Sequence, residues 1–448
     1  MRKLFTVLSL LILVIVIYFL VIILAPGPSL DHTLAKLKSH GIPTSANEVI
    51  PYELSDSENG AMVYKQAFTI YDSFIKNHKD DFAEALLDRN KYLDEPASKK
   101  GQYVDTILNN PDLNKVYGLL EKAAAMKCQF IKRNDLMKGA SKKIDYEYNN
   151  LYFFNRISKL LSVKSRIEAD SKNYDDSFAT DLLMLKIANS LENEPILLSQ
   201  LVRMALCGKG IESLQNTVFS STGNIDALQD IITCLTHTNN KNSAKSGFMG
   251  EPVWVVNSEP YAMTMLQDLG WSIPEMLIRM NSKKYFRAIQ IGILSSCIEM
   301  IPVFNMPYYK GQKILTEAKN KNKRPSIVTA IFYPYDVLTS YFSSVSRYGT
   351  FYTQEEILSA YIDVATLGIA NRMYKEKNGK FVDSLDQLAP VIMSSIPKDP
   401  FSGKDYVYRR DDNGFIIYSL GENMKDDNGK FVKLGKEDPD IAWRDPGN

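Results

Sequence analysis

Residues 153–195 read FFNRISKLLSVKSRIEADSKNYDDSFATDLLMLKIANSLENEP, and the spacing of their apolar side chains decides the class of fold. Phe153, Ile157, Leu160 and Ile167 lay one apolar stripe along a helix, and Phe178, Leu182, Leu185, Ala188 and Leu191 lay a second. Lys172-Asn173-Tyr174-Asp175 breaks the pattern between them, Asn193-Glu194-Pro195 breaks it again, and Leu197, Leu201, Met204, Gly208, Ile211 and Leu214 form a third stripe. Turns this short make consecutive helices antiparallel neighbours. The stretch from about Asp112 to Thr222 is therefore expected to be a succession of packed helices.

The same segment resembles a tetratricopeptide helical hairpin. Ala169 ends the first helix near Lys172-Asn173-Tyr174, Leu183 falls inside the second, and the separation of Tyr174 from Pro195 matches that of the family's turn tyrosine and terminal proline. The family's first-helix Trp and Gly are missing and only one copy is recognisable. A plain helical bundle and a divergent repeat array both stay open, since arrays normally need about three units.

Towards the N-terminus, Pro43 and Pro51 bracket an extended connector after a short helix over Asp31–Gly41. Ala61, Tyr64, Ala67, Phe68 and Tyr71 then mark an amphipathic helix, followed by a polar stretch to about Gly101. Before all of this, Leu4 to Ala25 carries no charge and is rich in Leu, Ile and Val, long enough as a helix to cross a bilayer. Arg2 and Lys3 in front and Ala25-Pro26-Gly27 behind also suit a cleaved signal peptide. The apolar region of such a peptide is normally about 7 to 15 residues, shorter than this one, so a retained anchor is expected. Arg2 and Lys3 place the N-terminus in the cytoplasm and the body outside it, although Lys36 and Lys38 on the other flank reduce the asymmetry. The lipid bilayer is thus a partner through residues 4–25.

Beyond the hairpin, the polar stretch Thr236–Gly250 reads as a long loop, either a solvated connector or a lid. Trp254 to Thr350 is dense in aromatics, among them Trp271, Tyr285, Phe286, Phe304, Tyr308, Tyr309, Phe332, Tyr333, Tyr335, Tyr341 and Phe342. A filled helical core is the expectation, and a groove for a peptide or glycan the rival. The basic run Lys319–Arg324 reads as a solvated loop.

At the C-terminal end, Leu358, Ile362, Ala365, Ile369 and Met373 predict a helix from Gln354 to about Asn378, stopped by Gly379. A small helix at Ser384–Leu388 and strands at Tyr406–Arg409 and Phe415–Ser419, joined through Asp411-Asp412-Asn413-Gly414, complete an α+β unit. Tyr374, Asn378-Gly379-Lys380-Phe381, Ser384-Leu385-Asp386-Gln387-Leu388, Pro397-Lys398-Asp399-Pro400-Phe401, Tyr406-Val407-Tyr408, Tyr418-Ser419-Leu420-Gly421 and Asp440-Ile441 follow one another in an order that resembles the globular end of type II secretion major pseudopilins. That unit also looks like the tail of large membrane-anchored planctomycete-type bacterial proteins. The resemblance implies a calcium site built from the Leu420 carbonyl, Asn423 and Asp440, with Asp426, Asp427 or Asp438 nearby; calcium takes about six to eight oxygens and tolerates irregular loops. Asn423 stands where the family has Asp, and the loop before Asp440 is longer than the family's, so a solvated acidic hairpin remains the alternative. Leu4–Ala25 has neither the Gly nor the Glu of a prepilin-peptidase motif. Assembly as a processed pilus subunit is not expected.

With 53 Lys+Arg against 52 Asp+Glu, no global field favours nucleic acid. Cys128, Cys207, Cys234 and Cys297 lie far apart without zinc-ligand spacing, and a phosphate loop, a His-Glu-x-x-His or a Gly-x-Ser-x-Gly elbow is absent. The chain is thus expected to be mainly α: an anchor and exit (1–30), a connector with an amphipathic helix (31–111), a helical bundle or repeat-like region (112–235), an aromatic-rich helical region (236–353) and a pseudopilin-like α+β module (354–448). The expected function is a single-pass binding or scaffold protein of the bacterial inner membrane with envelope or secretion-system partners. A periplasmic carboxylate-based hydrolase acting in the aromatic region is the alternative.

Overall fold

The computed structural model describes residues 28–78, 89–137, 140–221, 224–239, 242–258, 275–321, 345–410, 414–430 and 440–445, and positions 10, 13, 14, 16, 17, 335, 339 and 340 besides. Trp271, Phe332, Tyr333, Tyr341, Phe342 and the 411–413 turn lie outside the described residues.

The helices in chain order are α1 (Leu30–Ser39), α2 (Ala46–Val49), α3 (Gly60–Asn77), α4 (Arg89–Asp94), α5 (Ala97–Leu108), α6 (Pro111–Ala124), α7 (Arg133–Met137) and α8 (Ala140–Asp170). They continue as α9 (Tyr174–Asn189), α10 (Leu197–Ser220), α11 (Ile225–Thr238), α12 (Asn242–Val256), α13 (Glu275–Met300), α14 (Tyr308–Lys321) and α15 (Val345–Asn378). Side-chain oxygens start several of them: Ser29, Asn59, Asn110 and Asn224 each accept from an amide of the following first turn. Strands β1 (Val407–Arg410), β2 (Phe415–Ser419) and β3 (Ile441–Asp445) form an antiparallel sheet in the order β1-β2-β3, with Ile417 opposite both Tyr408 and Trp443.

Helices α8, α9 and α10 pack against one another pairwise. Lys172, at φ 59°, makes the tight turn between α8 and α9. At 31 residues, α8 is about as long as a whole tetratricopeptide repeat, and all three helices touch one another. The centre of the molecule is α15, a 34-residue helix buried on nearly every side, from Val345 and Tyr348 to Ala370 and Met373. Its buried surface includes Glu355, Glu356, Asn371 and Arg372 beside the apolar side chains, as befits a helix covered on several sides. It touches α10, α11, α13, α14, β2 and β3, and one continuous buried cluster runs from Leu37 to Trp443.

Several local expectations are corrected. The 236–250 stretch is not a loop: α11 runs to Thr238 and α12 starts at Asn242. Its glycines are points of close approach, because a Cβ on Gly247 would lie 2.5 Å from Gln200 Cγ and one on Gly250 would lie 1.6 Å from the Pro195 carbonyl oxygen. Lys319 to Lys321 extend α14 rather than forming a loop, and the helix expected from Gln354 begins at Val345. The boundary at 354 therefore falls within a helix. Within the polar stretch before Gly101, α4 and the start of α5 are helical.

The C-terminal sheet is fastened to the bundle at its far end. Trp443, fully buried, lies against Phe219 of α10 and over Gly368 of α15, where an added Cβ would meet the indole Cδ1 at 2.1 Å. Arg372 of α15 donates to the Ser221 carbonyl at 3.1 Å, pairs with Glu376 at 3.1 Å and faces Asp445 at 3.8 Å, joining the end of α10 to the end of β3.

Of the 4–25 segment, Leu10, Leu13, Val14, Val16 and Ile17 are described; all are helical and 47–61% exposed. The remainder lies outside the described residues. Among those described, Lys283–Asn305 is also long and apolar enough to span a membrane, but 61% of it is buried inside the body, as in a core helix.

Candidate functional site

Two places carry groups arranged for more than packing. The first is a groove of about 1270 Å³. It is lined by Ala179, Leu182, Leu183 and Lys186 of α9 and by Asp230, Thr233, Cys234 and His237 of α11, two helices that touch each other. The end of α6 with residues 126–131, and the extended segment 49–54, close the sides. Among the residues that line it are several small ones, namely Ala124, Ala125, Cys128, Ala179 and Ser190.

The turn that forms its rim is held rigidly. Gln200 Nε2 donates to the carbonyls of Leu191 and Glu194, both at 2.9 Å, and Glu194 Oε1 accepts from the Phe130 amide at 2.7 Å. Tyr64 and Ser190 share a hydroxyl hydrogen bond of 2.9 Å from below. Polar groups stand along this rim: Glu192 Oε2 faces His237 Nδ1 at 3.8 Å, and Asn189 Nδ2 donates to Cys234 Sγ at 3.7 Å. Asn189 Oδ1 is buried with no hydrogen-bond partner among the described residues.

Burial pushes the Cys128 thiol up to about 12 and raises that of Cys234 as well. A thiol held protonated is a small apolar group rather than a nucleophile. The groove therefore combines apolar side chains with a hydrogen-bonded polar rim, and its two thiols are held protonated. All four cysteines are free, Cys207 and Cys297 being fully buried.

In the aromatic region the described rings pack against one another. Phe248 lies 4.7 Å from Phe304 and 5.0 Å from Tyr348, and Phe304 is 5.8 Å from Tyr352. Tyr308 stacks on Tyr352 at 5.9 Å and meets Phe401 at 4.7 Å, so these rings fill one another's space.

The second place is the acidic loop after β2. Asp426 is fully engaged: Oδ1 accepts from the Tyr418 hydroxyl at 2.8 Å and the Asn428 amide at 2.9 Å, and Oδ2 pairs with Arg409 at 2.9 Å. The Asn428 amide, first, and the Tyr418 hydroxyl hold its carboxyl below the usual range. Asn423 Oδ1 accepts from the Lys425 amide at 2.7 Å, and its Nδ2 donates to Asp427 Oδ2 at 3.0 Å. Asp440 is 1% exposed; Oδ2 accepts from the Gly429 amide at 2.6 Å, while Oδ1 is buried with no hydrogen-bond partner among the described residues. Burial, and after it the charges of Asp427 and Asp426, push the Asp440 carboxyl up.

Leu420 follows the end of β2 beside Gly421, whose φ is +62°, and Asp438 lies outside the described residues. A buried carboxylate oxygen without a donor, next to two further acids, is the donor chemistry that a hard cation satisfies. Nevertheless, the described residues include no group of three or more His, Cys, Asp or Glu side chains placed to hold a metal. Asp440 and Asp427 fit the implied cation, and Asp426 serves the loop itself.

No protein-family model matches the chain, and no curated protein or solved structure matches it.

Proposed function

We propose that this chain is an anchored binding protein of the bacterial envelope, held through residues 4–25 with its helical body outside the cytoplasm. The observation that carries the proposal is the groove between α9 and α11, whose rim is hydrogen-bonded into one shape and whose thiols are kept protonated. An occupant would be gripped by an apolar floor, through Leu182, Leu183 and Met126, and oriented by Asn189, Glu192, Lys186 and His237. Pre-formed sites of this composition lose little freedom on binding. A photo-crosslinker placed at the exposed groove residue Thr233 tests it in envelope preparations. Crosslinking that disappears when Ala179→Trp fills the groove supports the proposal; crosslinking indifferent to that substitution ends it.

The pseudopilin-like end adds a second element to this reading: Asp440 and Asp427, with Asn423 and the Leu420 carbonyl, hold calcium as a structural tie. When bound, the cation supplies charge neutralisation for the buried Asp440. Melting the full chain with calcium and with chelator, alongside Asp440→Asn, is the measurement. A calcium-dependent rise in melting temperature that Asp440→Asn removes is expected, and no shift in the parent chain excludes the site.

A further inference from the structure

Where the chain leaves its apolar segment, the first element of the body is α1. Between Ala25 and Leu30 the backbone can reach at most about 18 Å, so α1 stays close to whatever surface the apolar helix enters. Its inner face, with Thr33 and Leu37 buried and Leu30 and Leu34 partly so, packs into the body beside α13. Its outer face exposes Lys36 and Lys38, with Ala35 and Ser39 between them as small spacers. Asp31 is the one acid of α1, and its carboxylate already accepts from Ser29 Oγ at 3.2 Å.

Two lysines in a last turn are also what a helix C-terminus attracts, and that alone would explain Lys36 and Lys38. It does not explain α13. That helix, against which α1 packs, exposes Lys283 and Arg287 one turn apart in its middle, where the helix dipole favours neither sign. Two packed helices therefore both expose cations, and the first of them begins five residues after an apolar segment whose described residues are half exposed.

We propose that the outer face of α1, supported by the exposed cations of α13, docks on anionic phospholipid headgroups and fixes how the body stands on the bilayer. This rests on the anchor reading above. Lipid is the occupant the observations favour, because connectivity holds α1 at the bilayer surface and the exposed cations are opposite in charge to the headgroups. The apolar segment alone fixes position; the cationic face adds orientation.

The experiment uses the full chain in phosphatidylcholine vesicles with and without phosphatidylglycerol. First, flotation reports whether the chain enters the vesicles at all. Then a membrane-impermeant amine reagent reads Lys36, Lys38 and Lys283 against the exposed Lys122 and Lys380. On phosphatidylglycerol vesicles, labelling of Lys36 and Lys38 should fall several-fold and recover at high salt, because screening weakens surface attraction. In Lys36→Glu/Lys38→Glu, a double change at exposed positions that leaves the core untouched, Lys283 should label alike on both vesicle types. A chain that floats but labels equally on both overturns the headgroup contact and leaves the anchor standing. Protection of Lys283 that survives the double change also overturns it, since α1 is then not the contact. A chain that does not float overturns the anchor reading and this proposal together.

Discussion

The aromatic cluster around Phe248 and the groove between α9 and α11 are both places where several helices converge, and they end in opposite ways. At the first, Phe248, Phe304, Tyr348 and Tyr352 reach across and meet ring to ring, leaving no room. At the second, alanines, a serine and two cysteines are among the residues that line an open space of about 1270 Å³. Of these two places, the one rich in aromatic side chains is closed and the one with small side chains in its lining is open. The physical reason is volume: a large side chain fills the angle between diverging helices, whereas a methyl or a thiol cannot.

That contrast can be broken most forcefully at the closed end. Phe248→Ala removes a fully buried ring from between two others and should cost about 3–5 kcal/mol, read as a drop in denaturant midpoint at constant slope. Next in size is Gly368→Ala, whose new methyl would sit 2.1 Å from the Trp443 indole. Overpacking of this kind costs about 1–3 kcal/mol, and the loss should appear together with altered Trp443 fluorescence.

At the open end, Ala179→Trp should leave stability within about 0.5 kcal/mol while abolishing groove occupancy, because it fills space that nothing occupies. A comparable loss of stability there would mean that the groove is not pre-formed. The smallest expected effect concerns the seam between α8 and α10, closed but polar. Lys209 there donates to Asn155 Oδ1 at 2.7 Å and Ser158 Oγ at 3.1 Å, both neutral acceptors. Burial first, then the charge of Lys159, lower its pKa to about 8. The folded chain therefore holds this proton less tightly than the unfolded one, and Lys209 detracts from stability at neutral pH. That penalty is relieved as pH rises from about 8 towards the ordinary lysine range. Amine labelling followed by mass spectrometry should find a midpoint near 8 at Lys209, and Lys209→Met should flatten the slope of stability over that window.

The bundle was legible because its signal is local. The stripes from Phe153 to Leu214 depend only on a period of about 3.6 residues and on turns such as Lys172-Asn173, and the structure places α8, α9 and α10 where those stripes run. Gly379, at φ +75°, ends α15 for the same local reason. The groove was not legible, because its walls come from four separated stretches and its defining property is the smallness of side chains that look unremarkable singly. The 236–250 stretch misled for a related cause: Gly247 and Gly250 act as breakers in isolation but as contact points once α10 lies beside them. Strand β3 escaped notice because Ile441 to Asp445 is short and acquires its strand character from pairing with β2. In the acidic loop the residue types were readable, but the engagement of Asp426 by Arg409 and Tyr418 was not, since it depends on cross-strand geometry.

Trp443 completes the core from the last described strand, seated on Gly368 of the helix around which the bundle is built. During synthesis, then, α15 emerges with its final cover still missing and must wait for β3 before its last buried surface is shielded. The same timing makes residues 441–445 a quality checkpoint: a ribosome that stops short releases a body with an open seam, which proteases can recognise and clear.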